Sequence, residues 1–149
     1  MNRHAYRILI VRTLYEIDIR QINTLNNELL YELISFAYDP TTEVPSFEKD
    51  DKDYIKVRDV VLELYKSFEK INCIISNNLD NYTIDRLNYV DRAIIRLAVY
   101  EMLFTDLAKS IIINEALEIT KEYSTLDDGL QAKFNNRLLD KIAQGIKNE

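Results

Sequence analysis

The sequence predicts an all-α fold, and three observations carry that prediction. Only 2 Gly and 2 Pro occur in 149 residues, too few for the frequent tight turns of an all-β chain. Hydrophobic residues make up 47% of the chain, enough at this length for a single-domain core that needs neither disulfides nor metal. Those residues recur at spacings of three and four along most of the chain, the period of a helix with one buried face.

The elements follow in order. Over residues 3–20, Tyr6, Ile10, Leu14 and Ile17, with Val11 beside them, form the first stripe. Leu25, Leu29, Leu30, Leu33, Ile34 and Ala37 continue the pattern in a second helix, with Asn23 or Thr24 able to cap its start. Residues 38–53 hold both prolines and six acidic residues against Lys49 and Lys52, a composition that buries little and reads as an exposed acidic loop. Val57, Val60, Val61, Leu64, Phe68, Ile71, Ile75 and Leu79 keep one period and predict a long third helix. Thr83 can start a short fourth. Tyr89 to Phe104 is apolar on nearly every side, so this fifth helix is wrapped by others. Residues 111–123 form a sixth, and Phe134, Leu138, Ile142 and Ile146 line a last one, preceded by Thr125 and Asp128 at the spacing of a capping box.

Composition also excludes chemistry. A lone His4 and a lone Cys73 cannot build a multi-ligand metal site, and Cys73 lacks a basic neighbour to activate it. Gly129 and Gly145 are too few for a phosphate-cradling loop. The chain is expected to be neither an enzyme nor a cofactor carrier. An unpaired cysteine places it in a reducing compartment, the cytoplasm. No apolar run approaches the roughly 18 residues of a membrane span, and residues 1–18 contain no apolar leader.

Net charge is −6, which on its own discourages phosphate binding. The charge is unevenly spread, however. Residues 1–20 carry four arginines against Glu16 and Asp18, and residues 133–149 carry Lys133, Arg137, Lys141 and Lys147 against Asp140 and Glu149. If the two ends meet in space, the protein has one basic pole on an acidic body.

Four blocks then carry a resemblance. Residues 91–101 read DRAIIRLAVYE, residues 113–121 read INEALEITK and residues 133–142 read KFNNRLLDKI. Near the start, Arg3-His4-Ala5-Tyr6-Arg7 is followed by Thr13-Leu14-Tyr15 and Asp18. In order and spacing this resembles the NusB family of bacterial transcription antitermination factors. The resemblance implies an all-helical fold of two small helical subdomains, one of about residues 1–80 and one of about 81–149. It implies a non-enzymatic protein that pairs with the ribosomal protein NusE and binds boxA-type single-stranded RNA in nascent ribosomal RNA leaders. The complex then joins RNA polymerase and other Nus factors.

Matched position by position, the implied RNA-binding set is Arg3, His4, Arg7, Lys133, Phe134 and Asp127. The implied partner-binding set is Tyr15, Asp85 and Asp91. Each has a plainer reading beside it: core packing for Phe134, helix capping for Asp85, Asp91 and Asp127, an internal salt bridge for Arg3 and Arg7, a solvated helix start for Lys133. Arg3 and Arg7 are expected to project beyond the core. Asn114 and Glu115 are expected to join helices through buried hydrogen bonds.

Three departures stand out. The arginine-rich entry is thin, Asn135 and Arg137 replace the family's Val and Gly, and the loop 128–132 is longer. A Gly-to-Arg change removes a place where helices can approach closely. The rival reading is a NusB-like helical interaction module without specific RNA recognition. A third, the RNA-binding domain of a ribosomal-RNA methyltransferase, is disfavoured because no cofactor-binding domain follows. A homodimer stays open, since a face buried in a dimer reads like one buried in a monomer.

Overall fold

A computed structural model describes residues 1–42, 44–81, 83–124 and 127–147, the last without its side chain. Seven α-helices are present among the described residues: α1 Arg3–Ile19, α2 Asn27–Tyr38, α3 Lys52–Lys66, α4 Phe68–Asn77, α5 Tyr89–Phe104, α6 Lys109–Tyr123 and α7 Leu130–Lys147. A short 3-10 helix, Ile84–Arg86, lies between α4 and α5 with Thr83 at its N-cap position. No strand occurs among the described residues.

The chain divides into two compact units, Met1–Lys66 and Ser67–Glu149. The division falls earlier than the boundary near residue 80 that the resemblance implies. The same point breaks the expected long third helix. Ser67 adopts φ −105° and ψ 16°, outside the helical basin, and α4 restarts with Ile71 N–H donating to the Ser67 carbonyl at 2.9 Å. Only one residue leaves the helix, so the apolar spacing continues across the break and conceals it.

In the first unit α1 packs on α2 and α3, and α2 packs on α3. Ile10, Leu14 and Ile17 are buried on α1, Leu30, Leu33 and Ile34 on α2, and Val57, Val61 and Leu64 on α3. Asn26 caps α2, its Oδ1 accepting from Leu29 N–H at 2.8 Å, in place of the expected Asn23 or Thr24. A side-chain acceptor at this position satisfies one of the amides that a helix start leaves open.

The acidic segment 38–53 is anchored by aromatics, contrary to the expectation that it buries little. The half-buried Phe47 ring stands edge-on to Tyr38 at 4.8 Å and tilted to Tyr54 at 6.2 Å. The Tyr31 hydroxyl donates to the Phe47 carbonyl. Lys49 pairs with Glu28 at 2.8 Å. At the start of the segment, Asp39 accepts from the hydroxyl of Thr41 at 2.6 Å and from its N–H at 2.9 Å, and these bonds hold its carboxyl below the usual range. Phe47→Ala is expected to destabilise the first unit by about 2 kcal/mol, from lost apolar burial plus two ring contacts. Limited proteolysis checks this: cleavage should move into 38–53 in the variant.

In the second unit α5 packs on α4, α6 and α7, and α6 packs on α7. Burial of Ala93 to Tyr100 without interruption confirms that α5 is wrapped. One member of that run is a cation. Buried Arg96 donates Nε–H to Asn72 Oδ1 at 2.9 Å and lies over the Phe68 ring at 4.5 Å, so its charge has both a polar and a π partner. Arg92 donates to the carbonyls of Leu87 and Asp85 at 3.1 and 3.0 Å, tying the 3-10 helix to α5.

Candidate nucleic-acid interface

The two ends of the chain present cations where helices begin. Asn2 caps α1 by accepting from Ala5 N–H at 2.8 Å, and exposed Arg3 opens the helix. Exposed Lys133 lies in the first turn of α7 and half-buried Phe134 follows it. Neither first turn contains an acid. Helix N-termini carry partial positive charge and ordinarily favour Asp or Glu, so cations there work against helix stability. The same positive end attracts phosphate.

Arg7 behaves differently. It is 3% exposed and does not project, because it shares the helix line of Ile10 and Leu14 and follows them inward. His4 and Tyr15 are half-buried. Asp127 caps α7, its carboxylate accepting from Gly129 N–H at 3.1 Å and Gln131 N–H at 3.0 Å. Of the expected capping box of Thr125 and Asp128, Thr125 lies outside the described residues and Asp128 is exposed. Leu130, Gln131 and Ala132 of the expected loop 128–132 are helical, since α7 starts at Leu130.

Among the partner-binding candidates, Asp85 is exposed and Asp91 has no exposed surface. Asp91 is therefore corrected from a surface contact to an interior group. Its backbone N–H bonds to the capping Asn88 Oδ1 at 2.9 Å, and its Oδ1 accepts from Asn135 Nδ2 at 3.0 Å. The same Asn135 nitrogen reaches Thr120 Oγ1 at 3.1 Å, and Gln131 Nε2 donates to Asn135 Oδ1 at 3.0 Å. Burial pushes the Asp91 carboxyl up from 3.8, opposed by the Asn135 and Asn88 bonds and reinforced by the Asp127 charge.

Asn135 is thus the centre of a buried polar network, a role that a reading of it as one apolar position gone polar does not disclose. Arg137 is exposed, so the replacement of the family's Gly costs no helix approach there. Asn114 is also exposed, which corrects the expected buried hydrogen bond.

Comparison with known proteins decides the family. The NusB family profile matches residues 4–144. The chain belongs to the NusB family. It is 34% identical over 143 residues to the transcription antitermination protein NusB of Treponema denticola, covering 95% of this chain and 96% of that one. Identity to NusB of Bacillus pumilus is 32% over 150 residues, with both chains fully covered. Among solved structures, T. maritima NusB superposes with a TM-score of 0.76 at 29% identity, over 97% of this chain and 92% of that one. A structure of antitermination factors NusB and NusE in complex with double-stranded RNA gives a TM-score of 0.72 at 25% identity, with 96% of each chain covered. The all-α NusB fold read from the four blocks is therefore established. No described helix of this NusB-family chain is long and apolar enough to cross a membrane.

Proposed function

We propose that this chain is a cytoplasmic, non-enzymatic transcription antitermination factor that pairs with NusE and binds boxA-type single-stranded RNA of nascent ribosomal RNA leaders. It acts there with RNA polymerase and other Nus factors. The names of its relatives and the solved NusB–NusE–RNA complex support the class of activity. The observation in this chain that carries the reading is the pair of exposed cations, Arg3 and Lys133, in first turns without an acid. At α1 the start carries no acid and is open to an anionic ligand, whereas at α7 the Asp127 carboxylate already accepts from the opening amides and Lys133 alone supplies the positive charge. Phe134, next to Lys133, supplies a ring for an unstacked base. Asp85 and Tyr15 remain the residues proposed to meet NusE. His4 stays in the RNA set, whereas buried Arg7 supports it from within and half-buried Asp127 supports it by capping α7.

Fluorescence anisotropy of labelled boxA-type RNA, titrated across salt with and without NusE, tests the reading. Affinity should tighten with NusE and fall linearly on a log–log salt plot, by a slope of about 0.7 for each phosphate neutralised. Negligible RNA affinity in low salt, alongside an intact complex with NusE, would establish the interaction-module alternative instead.

A further inference from the structure

Arg92 stands at the fourth position of α5, close to the positive end of the helix, where a cation is disfavoured. What holds it there is the turn before the helix. Its Nε–H donates to the Leu87 carbonyl at 3.1 Å and its Nη2–H to the Asp85 carbonyl at 3.0 Å. The same guanidinium lies over the Tyr89 ring, 4.6 Å from its centroid.

The turn needs that support. The 3-10 helix Ile84–Arg86 is closed by Arg86 N–H donating to the Thr83 carbonyl at 3.0 Å and Leu87 N–H donating to the Ile84 carbonyl at 3.1 Å. A helix this short does not persist on backbone bonds alone. Those bonds leave the carbonyls of Asp85 and Leu87 at its open end, and Arg92 satisfies both.

Arg92 takes the carbonyl of Asp85 and not its carboxylate. The Asp85 side chain is exposed and makes no hydrogen bond or ion pair with any described residue. The backbone of this acid is therefore fixed while its charge stays uncommitted, so a basic side chain of a partner meets a carboxylate already in place. Ordering the turn in advance removes that cost from the binding step.

Resting on the assignment of Asp85 to the NusE contact above, we propose that Arg92 is a positioning residue for that contact. It acts through the 3-10 helix, and its loss lets Asp85 sample placements from which it does not bind.

The test measures binding of the full chain to purified NusE by isothermal titration calorimetry, for the wild type, Arg92→Ala, Arg92→Lys, Asp85→Asn, the double variant Asp85→Asn with Arg92→Ala, and Arg86→Ala. Arg92→Ala should weaken binding about tenfold, the factor for a turn that is competent in about a tenth of the molecules. The direction is diagnostic, because removing a cation beside an acid strengthens the pull of that acid on a basic partner. Arg86→Ala removes an exposed cation from the same 3-10 helix and should bind no more weakly than the wild type. Arg92→Lys keeps the charge without the planar fork; its affinity should lie between those of the wild type and Arg92→Ala. Asp85→Asn should also bind more weakly, and the double variant should lose little more than the larger single loss. Hydrogen exchange reads the turn itself: the amides of Arg86 and Leu87 should exchange faster in free Arg92→Ala, regain protection in the NusE complex, and leave exchange in α5 unchanged.

Unchanged affinity in Arg92→Ala, with Asp85→Asn weakened, overturns the positioning role and leaves Asp85 in the partner set. Losses that multiply in the double variant also overturn it, because Arg92 then touches NusE itself. Faster exchange throughout α5 overturns it by assigning Arg92 to general stability. Wild-type affinity in Asp85→Asn removes Asp85 from the partner set and the proposal with it, whereas absence of wild-type binding overturns the pairing with NusE.

Discussion

Asn135→Val should destabilise the protein by about 3 kcal/mol at neutral pH, the scale for leaving a buried charged group without its partner. The variant is close to Asn in size and restores the residue that the family pattern has there. Its cost arises from polarity. Asn135 Nδ2 is the side-chain donor to Asp91 Oδ1 and also reaches Thr120, while Gln131 donates to its Oδ1. Valine leaves Asp91 fully buried without that donor.

The pH dependence separates this cause from packing. Burial raises the Asp91 carboxyl above 3.8, so the native state holds this proton to higher pH than the unfolded chain does. Its contribution to stability therefore falls as pH climbs from about 3.8 through the native value, and is level above it. Removing the Asn135 bond removes an influence that lowers the native value, so that value moves up and the window widens. Urea denaturation should show the variant's deficit shrinking as pH falls into the acid range. A deficit that is the same at neutral and acid pH would attribute the loss to packing alone.

The largest effect on binding is expected from reversing the two cations at helix starts together. Arg3→Glu with Lys133→Glu should lower the affinity of the NusE complex for boxA-type RNA by about a hundredfold in low salt, roughly tenfold for each reversed contact. Folding should not suffer. Both positions are exposed and lie in first turns that hold no acid, where a carboxylate gains about 0.3–1 kcal/mol from the helix dipole. A variant that melts no lower than the wild type but binds poorly ties the loss to the interface. Undiminished affinity would remove Arg3 and Lys133 from the RNA-binding set.

The helices were legible because their signal is one of period. Ala93 to Tyr100 is apolar or ringed by apolar residues with no polar face, and that pattern permits only an enclosed helix. The break at Ser67 was not, since a single residue out of the helical basin leaves the spacing of Leu64, Phe68 and Ile71 intact. Charged residues were harder still. Arg7 and Arg3 share a helix and a charge, yet one is buried and the other exposed. The apolar line through Ile10 and Leu14 gave the direction of Arg7, but a long cation on that line can either extend beyond the core or enter it. Asp91 was visible as a helix-start acid, which fits a surface or an interior position equally. Only the donor on α7, Asn135, nineteen positions past the end of the block INEA at Ala116, reveals which.

The aromatic anchoring of segment 38–53 has a consequence for discrimination among polyanions. With Phe47 lodged against Tyr38 and Tyr54, the backbone that bears the neighbouring Glu48 and Asp50 is tied to the helices of the first unit. A negative field borne on anchored backbone turns away nucleic acid that arrives on that side at long range, before any contact forms. Bulk transfer RNA and chromosomal DNA would be disfavoured as competitors by repulsion, leaving selectivity to rest as much on where a strand is refused as on where it is held.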